Sequence, residues 1–537
     1  MSAEAVRFAA VIALAVGLVL MLTPAALAAR VRLPDRTRRI AGLAVVLAGW
    51  VVMAGTLLPD PVTDRLSEPV GMAVGIGGVL IVLAALVLVG RVIARRPWVW
   101  FVLLGLTLPV RIPISLGNED ANLLLPLYAV IVVGLSVLWW MERDGTRLRR
   151  WPTTPLDLPL MLFTGFTVVS LLWSSDVTEG AIKLTFFWIP FTLLFLIVVA
   201  LWREGRAFRT LTITTVAMSV PVALLALGEY AAREVLWNHR LMQANVYSRF
   251  FRVNSIFYDP NILGRYLVLA LLFTVALAWL WRANGRVLVA CAVVATVDAL
   301  AFVVTFSRSS ALMLMVGLLI MALRLFGWRR VLLTAAIMAV AGGGAAVAAS
   351  GHVRAALTST DRLEKVSEGR FDLVGGGVDI FRQHPVVGGG VGSFATDYSA
   401  LLTEDEIRRT RVVISHNAPV TVLSEEGAVG FALFVWLCVI AGLVGIRATR
   451  NPDEGIGVPA ARLLAGLAGI FVHALLYAAL FEDPFTWVLA AGLVALAATP
   501  STAGSTAGTS TAGSTAGTST AGSTAGTSLR SGTEEVR

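Results

Sequence analysis

Val412 to Gly430 reads VVISHNAPVTVLSEEGAVG: a polar stretch closes on His416 and Asn417, and an apolar run opens at Ala418, interrupted only by Ser424, Glu425 and Glu426. Crossing a hydrocarbon core of about 30 Å takes about 20 mostly apolar residues in a helix, and the run from Ala418 supplies them. Its two glutamates are therefore out of place. A charge near a bilayer centre costs about 2.5–3.5 kcal/mol on insertion scales, so carboxylates in such a run are read first as functional. His416 and Asn417 fall where the chain passes from water into the membrane.

The rest of the chain has the same character. It has 537 residues, 57% of them hydrophobic and 14% charged, with a mean hydropathy of +0.80, which places it among polytopic membrane proteins. The apolar runs are unbroken rather than alternating, which excludes a β-barrel. An all-α bundle of about 12–15 spans with one large outer loop is expected. The net charge of +9 suggests a nucleic-acid partner until its distribution is read. Most arginines lie in short loops between spans, so the charge encodes topology and no nucleic acid is implied. Lys183 and Lys365 are the only lysines; nearly all the positive charge is guanidinium, which suits bidentate phosphate binding. Cys291 and Cys438 sit inside apolar runs and form neither a disulfide framework nor a zinc spacing. The outer loops carry no ligand-spaced acid or histidine cluster beyond Glu404 to Glu406, so no metal or other cofactor is expected.

Taken in order, spans are expected at about 8–29, 40–58, 70–90, 97–115, 123–140, 157–173, 182–202, 209–229, 262–280 and 287–307, then after Ser310, and at 331–350, 418–446, 458–480 and 484–499. Glu4 offsets Arg7 ahead of the first, which therefore reads as an anchor rather than a cleaved signal. Arg30, Arg32, Arg36, Arg38 and Arg39 put the first loop in the cytoplasm and the N-terminus outside. Further on, ten basic residues in the inner loops (91 to 209) face Arg65, Arg111 and Lys183 in the outer ones. The expected divisions are residues 1–350 as N-terminal spans, 351–417 as an extracytoplasmic loop or cap, 418–500 as C-terminal spans, and 501–537 as a disordered tail. In that tail STAGSTAGT repeats three times, too polar to repay the entropy of folding.

Positive charge gathers outside against the usual bias. The loop 231–261 holds Arg233, Arg240, Arg249 and Arg252, Arg265 follows one turn into the next span, and Arg308 sits in a tight Ser307–Ser310 turn. Asp298, inside the tenth span, offers Arg265 a counter-charge. Arg370 to Gln383 has the apolar spacing of an amphipathic helix lying on the membrane, weakened by three glycines. The run Gly388 to Gly392 lacks the Lys-Ser/Thr of a nucleotide loop and a strand before it.

Four stretches in a fixed order carry a family resemblance: RVNSIFYDPNILG at Arg252 to Gly264, TFSRSS at Thr305 to Ser310, HPVVGGGVGSF in the large loop, and SHNAPVTVLSEEGAVG. Over roughly residues 210 to 450 the chain resembles the O-antigen ligase and polymerase superfamily. That resemblance implies a metal-independent, membrane-embedded glycosyltransferase of the C type. Such an enzyme moves a glycan from a polyprenyl-diphosphate carrier to a glycan or glycolipid hydroxyl, on the extracytoplasmic face of the cytoplasmic membrane. It assigns Arg252, Arg265, Arg308 and Arg370 to the diphosphate, His416 to the general base, and one of Glu425 and Glu426 to an acidic role. Guanidinium forks suit a departing diphosphate, and an ordinary histidine is mostly neutral, hence basic, at neutral pH. With Glu425 and Glu426 nine or ten residues beyond His416, up to about 15 Å along a helix, neither is expected to orient it directly. Polymerisation of the lipid-linked glycan, its flipping and solute permeation are the rival functions. A permease would show broken spans in matching halves, and the spans show no such repeat.

Overall fold

The computed structural model describes residues 3–24, 35–58, 68–116, 119–144, 154–202, 204–248, 250–333, 370–405, 415–477 and 479–498. Residues 334–350 of the expected span at 331–350, residues 351–369 and 406–414 of the large loop, and the repeat tail lie outside the described residues.

In chain order the helices are α1 Ala3–Leu22, α2 Asp35–Gly55, α3 Pro69–Ala94, α4 Trp98–Thr107, α5 Leu125–Arg143, α6 Asp157–Ser170, α7 Val177–Lys183 and α8 Ile189–Leu201. They continue as α9 Glu204–Ala232, α10 His239–Tyr247, α11 Pro260–Leu280, α12 Gly285–Val303, α13 Arg308–Phe326, α14 Arg370–Gln383, α15 Phe394–Ser399, α16 Ala418–Thr449, α17 Glu454–Ala474 and α18 Pro484–Ala497. Among the described residues eleven helices are long and apolar enough to cross a membrane. One of them joins α7 to α8 through a π turn at Leu184–Trp188. The protein is an all-α polytopic bundle, as its hydropathy requires.

Three expected spans form shorter apolar helices, at Trp98–Thr107, Asp157–Trp173 and Pro484–Ala497, and the first of them also changes form. In place of a helix over 97–115, α4 stops at Thr107, and an antiparallel hairpin pairs β1 Ile112–Leu116 with β2 Glu119–Leu123. Pro109 and Pro113 have no backbone N–H to give to a helical ladder, and Glu119 and Asp120 favour an exit from the apolar layer.

Burial grades the helices from centre to rim. Nearly all of α7–α8 is buried, whereas none of the most apolar window of α3 is, so α8 is a central column and α3 turns its side chains to lipid. Around α8, Trp188 stacks on Phe481 at 4.6 Å, and Phe163 and Trp487 close on both rings edgewise or tilted. At the rim, α1 and α2 cross where Gly17 faces Val46 and Gly42 faces Met21; a methyl at either position would come within 2.7 Å of its neighbour. Close approach through small residues is how membrane helices gain contact without a hydrophobic drive.

Helix α14 occupies the expected residues, but its buried face meets protein rather than lipid. Ile380 joins Phe394 and Tyr398 in a small separate core, and Gly376 and Gly377 let the Tyr398 ring and Val420 lie against the helix backbone. The glycines that weaken it as an isolated helix are what let it dock.

Candidate functional site

Helix α16 is broken. Gly427 has φ 62° and ψ −163°, dividing a 32-residue helix into halves on either side of the glutamate pair. A break strands backbone groups that the membrane cannot hydrate, and the segment HPVVGGGVGSF satisfies them. Gly389 and Gly390 N–H groups donate to the Ser424 and Glu425 carbonyls at 3.0 and 2.7 Å. In return Ala428 and Val429 N–H groups donate to the Pro385 and Val386 carbonyls at 2.9 and 3.1 Å. Gly388, at φ 72°, lies so close to the Glu425–Glu426 peptide that any Cβ would collide with it. On its far side the segment is fixed by Ser170, whose Oγ accepts from Val391 N–H at 3.1 Å, and by Ser174, whose Oγ donates to the Val391 carbonyl at 2.8 Å. The glycine run is thus the backbone partner of a broken span, which is why it carries none of the side chains of a nucleotide loop.

The two glutamates end the first half of α16 and diverge. Glu425 forms an ion pair of 2.8 Å with Lys183, the last residue of α7, both being nearly buried. Glu426 accepts a hydrogen bond of 2.6 Å from Thr167 Oγ1 on α6. Because α16 starts immediately after Asn417, both carboxylates are committed to α6 and α7 and neither reaches toward His416.

Arg252 and the turn before Arg308 meet at the start of α11. Asp259 caps that helix by accepting from Asn261 N–H at 2.6 Å, which frees the Asn261 side chain to bridge outward. Its Oδ1 accepts from Arg252 Nη2 at 3.1 Å and from Ser307 Oγ at 2.9 Å, while Arg252 Nε donates to the Thr305 carbonyl at 3.0 Å. The chain just after Arg252 is fixed by Glu229, whose carboxylate accepts the N–H groups of Leu236, Asn254 and Ser255. Ser307 caps α13, accepting from Ser310 N–H at 3.3 Å, so Arg308 is the exposed first residue of that helix. Arg370 opens α14.

Arg265 does not pair with Asp298. Its Nε lies 2.7 Å from Asp483 Oδ2, both side chains being buried, and its Nη1 donates to the Ala479 carbonyl at 2.8 Å. Asp298 instead accepts from Ser219 Oγ at 2.7 Å. Asp483 also caps α18, so sequence order hides a partner that the α17–α18 connection brings to Arg265 across the bundle.

That connection, residues 475–483, is the hinge of the site. Asn417 caps α16 by accepting from Val420 N–H, and its Nδ2 donates to the Leu475 carbonyl at 3.0 Å. His416, held in the left-handed region at φ 55°, lies with its ring centre 6.1 Å from that of Tyr477, and His473 is 5.6 Å from Tyr477 on α17. Burial holds the Tyr477 phenol well above its ordinary range, with Asp259 adding to the shift. Burial also raises the Glu482 carboxyl, against the pull of Lys183. Arg111, beyond the end of α4, lies 5.5 Å over the Phe257 ring. Burial depresses it to about 10, with Asp483 opposing the shift and Arg265 reinforcing it.

The site therefore has a guanidinium side, around Arg265 and Arg111, and an acidic side, where Lys183 is near Glu425, Glu482 and Glu179. Lys183, Arg111, Tyr477 and Asp483 escape a sequence reading. Lys183 alone leaves a signal there, being one of two lysines and lying at the head of an apolar run. Among the described residues no three His, Cys, Asp or Glu side chains converge as a metal ion would require.

Residues 292–435 match the O-Antigen ligase family model. The stretch runs from within α12 through Arg308, α14 and the glycine segment to His416 and past the break in α16; it contains three of the four stretches that resemble the superfamily, and Arg252 to Gly264 precedes it. No curated protein matches the chain.

Proposed function

We propose, starting from the O-Antigen ligase domain that this multi-pass membrane protein carries, that it transfers a glycan from a polyprenyl-diphosphate carrier to an acceptor hydroxyl. The acceptor is a glycan or glycolipid, and the reaction takes place on the extracytoplasmic face of the cytoplasmic membrane. One observation supports this reading above the others: residues 475–483 are bonded to Asn417, next to His416, at one end and to Arg265 at the other. An imidazole and a guanidinium thus flank one short segment. His416 takes the acceptor proton, the freed oxygen attacks the anomeric carbon, and the bond from that carbon to the diphosphate oxygen breaks with its electron pair. Arg252, Arg265, Arg308 and Arg370 are the groups that receive the departing charge, doing without a divalent ion what charge-assisted forks do elsewhere. Glu425 and Glu426 act at one remove, through Lys183 and Thr167.

A flippase or permease reading would make the break in α16 a gate. Four backbone hydrogen bonds bind that break to residues 385–390, which favours a fixed site over a moving one. The test is transfer by the purified full chain in lipid nanodiscs, with lipid-linked glycan and acceptor, followed on gels. Transfer that survives exhaustive chelation and yields a glycan joined to the acceptor supports the reading. A lengthened lipid-linked product would make it a polymerase, and movement of the lipid without bond formation would overturn it.

A further inference from the structure

Two of the arginines chosen from sequence are already engaged within the fold: Arg265 by Asp483 and the Ala479 carbonyl, Arg252 by the Thr305 carbonyl and Asn261. Arg111 is held differently. It is half-buried; among the described residues its one hydrogen bond, Nη1 to the Leu108 carbonyl, is long at 3.4 Å, and it forms no ion pair there. A guanidinium has five N–H donors in a fixed fork, and most of this fork meets no protein acceptor.

Its position is nonetheless fixed. The Phe257 ring beneath it packs on Tyr266 at 5.4 Å, and Tyr266 on Phe485 at 5.9 Å, two residues past Asp483. Its charged and polar neighbours are Asp483, Arg265, Tyr128 and Tyr477. Two guanidiniums therefore share one buried carboxylate, an arrangement with an excess of positive charge. Holding a cation part-buried without its own counter-ion is costly, and an anion arriving with a ligand removes that cost. The Tyr477 phenol, raised by burial and further by Asp259 and Glu482 nearby, is a hydrogen-bond donor there.

We propose that Arg111, with the Tyr477 hydroxyl, contacts the diphosphate of the lipid-linked donor, as a binding residue supplied from outside the 292–435 stretch. The proposal rests on the glycan-transfer reading. In it the Arg111 fork takes two phosphate oxygens and gains strength as the glycosidic bond breaks and its electron pair passes to the phosphate.

The experiment is a titration of the full chain in nanodiscs, read by tryptophan fluorescence, with undecaprenyl diphosphate and undecaprenyl monophosphate as probes. Wild type is expected to prefer the diphosphate. Arg111→Ala is expected to weaken diphosphate binding about 10- to 100-fold, as for a lost charge-assisted contact, and to abolish the preference. In turnover it should raise the donor KM and leave the acceptor KM unchanged. Tyr477→Phe should give a smaller loss of the same kind. Arg111→Lys keeps a cation over the Phe257 ring and should fall between wild type and Arg111→Ala; if Arg111→Ala does not fold, an undiminished preference in Arg111→Lys overturns the proposal. So does a folded Arg111→Ala that binds the diphosphate as wild type does, and the transfer reading then stands. A wild type with no affinity for either probe overturns both.

Discussion

Lys183 Nζ and Glu425 Oε1 lie 2.8 Å apart, with side chains 12% and 6% exposed, and so join α7, at its π turn, to α16, at its break. Removing one member of a buried pair leaves the other uncompensated, a loss of about 3–5 kcal/mol, whereas removing both is far milder. Lys183→Met and Glu425→Gln are each expected to lower the unfolding temperature sharply in detergent. The double variant should recover most of it.

Substitution of Gly427 should be far more damaging than that of Gly442 on the same helix. An alanine Cβ at Gly427 would lie 2.5 Å from Gly388 N and from Val386 O, on a backbone at φ 62°, whereas at Gly442 it would meet nothing within 4 Å. Gly427→Ala is expected to abolish the monodisperse peak in size exclusion; Gly442→Ala should leave it intact, since alanine is the better helix former by about 1 kcal/mol.

The buried Arg265–Asp483 pair separates folding from donor binding. Arg265→Ala alone strands a carboxylate that is 3% exposed and should reduce the yield of folded protein. Arg265→Ala with Asp483→Ala should restore the yield. If Arg265 also meets the donor, transfer stays lost in the double variant, and full transfer would reduce Arg265 to a structural role.

Loss of a general base costs typically 10²–10⁴-fold, so His416→Ala should lose most transfer with donor affinity and unfolding temperature near those of wild type. A base must be unprotonated, and wild-type rate should therefore fall as acidification protonates the imidazole. A His416→Gln variant with wild-type rate and pH profile would limit His416 to shaping the entry to α16.

For Glu482 the sign of the pH effect follows from its raised carboxyl pKa. The folded state favours the protonated form, so as pH rises above the ordinary carboxylate range the unfolded state ionises first and stability declines. Glu482→Gln should remove part of that decline, giving an unfolding temperature at pH 7 equal to or above that of wild type. A lower value would mean that its attraction to Lys183 outweighs its burial.

Much of this architecture is legible in the sequence because apolar runs of bilayer length dictate helices wherever they occur. The register of α14, the turn before Arg308 and the helix start after His416 follow from capping residues and local spacing. Two kinds of feature are not legible. The break at Gly427 depends on a partner segment nearly forty residues upstream, and a Glu-Glu-Gly triplet in an apolar run does not announce one. Likewise Arg265 finds Asp483, and Lys183 finds Glu425, across spans whose order in space the positive-inside pattern leaves open. At residues 97–115 the apolar count outweighed two prolines whose missing N–H groups decide the matter.

The backbone exchange between residues 385–390 and the break in α16 also sets an order of events. Its anchors on the other side are Ser170 and Ser174, more than two hundred residues earlier in the chain. During synthesis α6 and α7 must wait in the bilayer until residue 429 has left the ribosome before that junction can close. The segment that bends α16 precedes it in the chain, so it is already made when residues 418–429 emerge. The bend is then set while α16 is being completed, by a segment of the chain made before it.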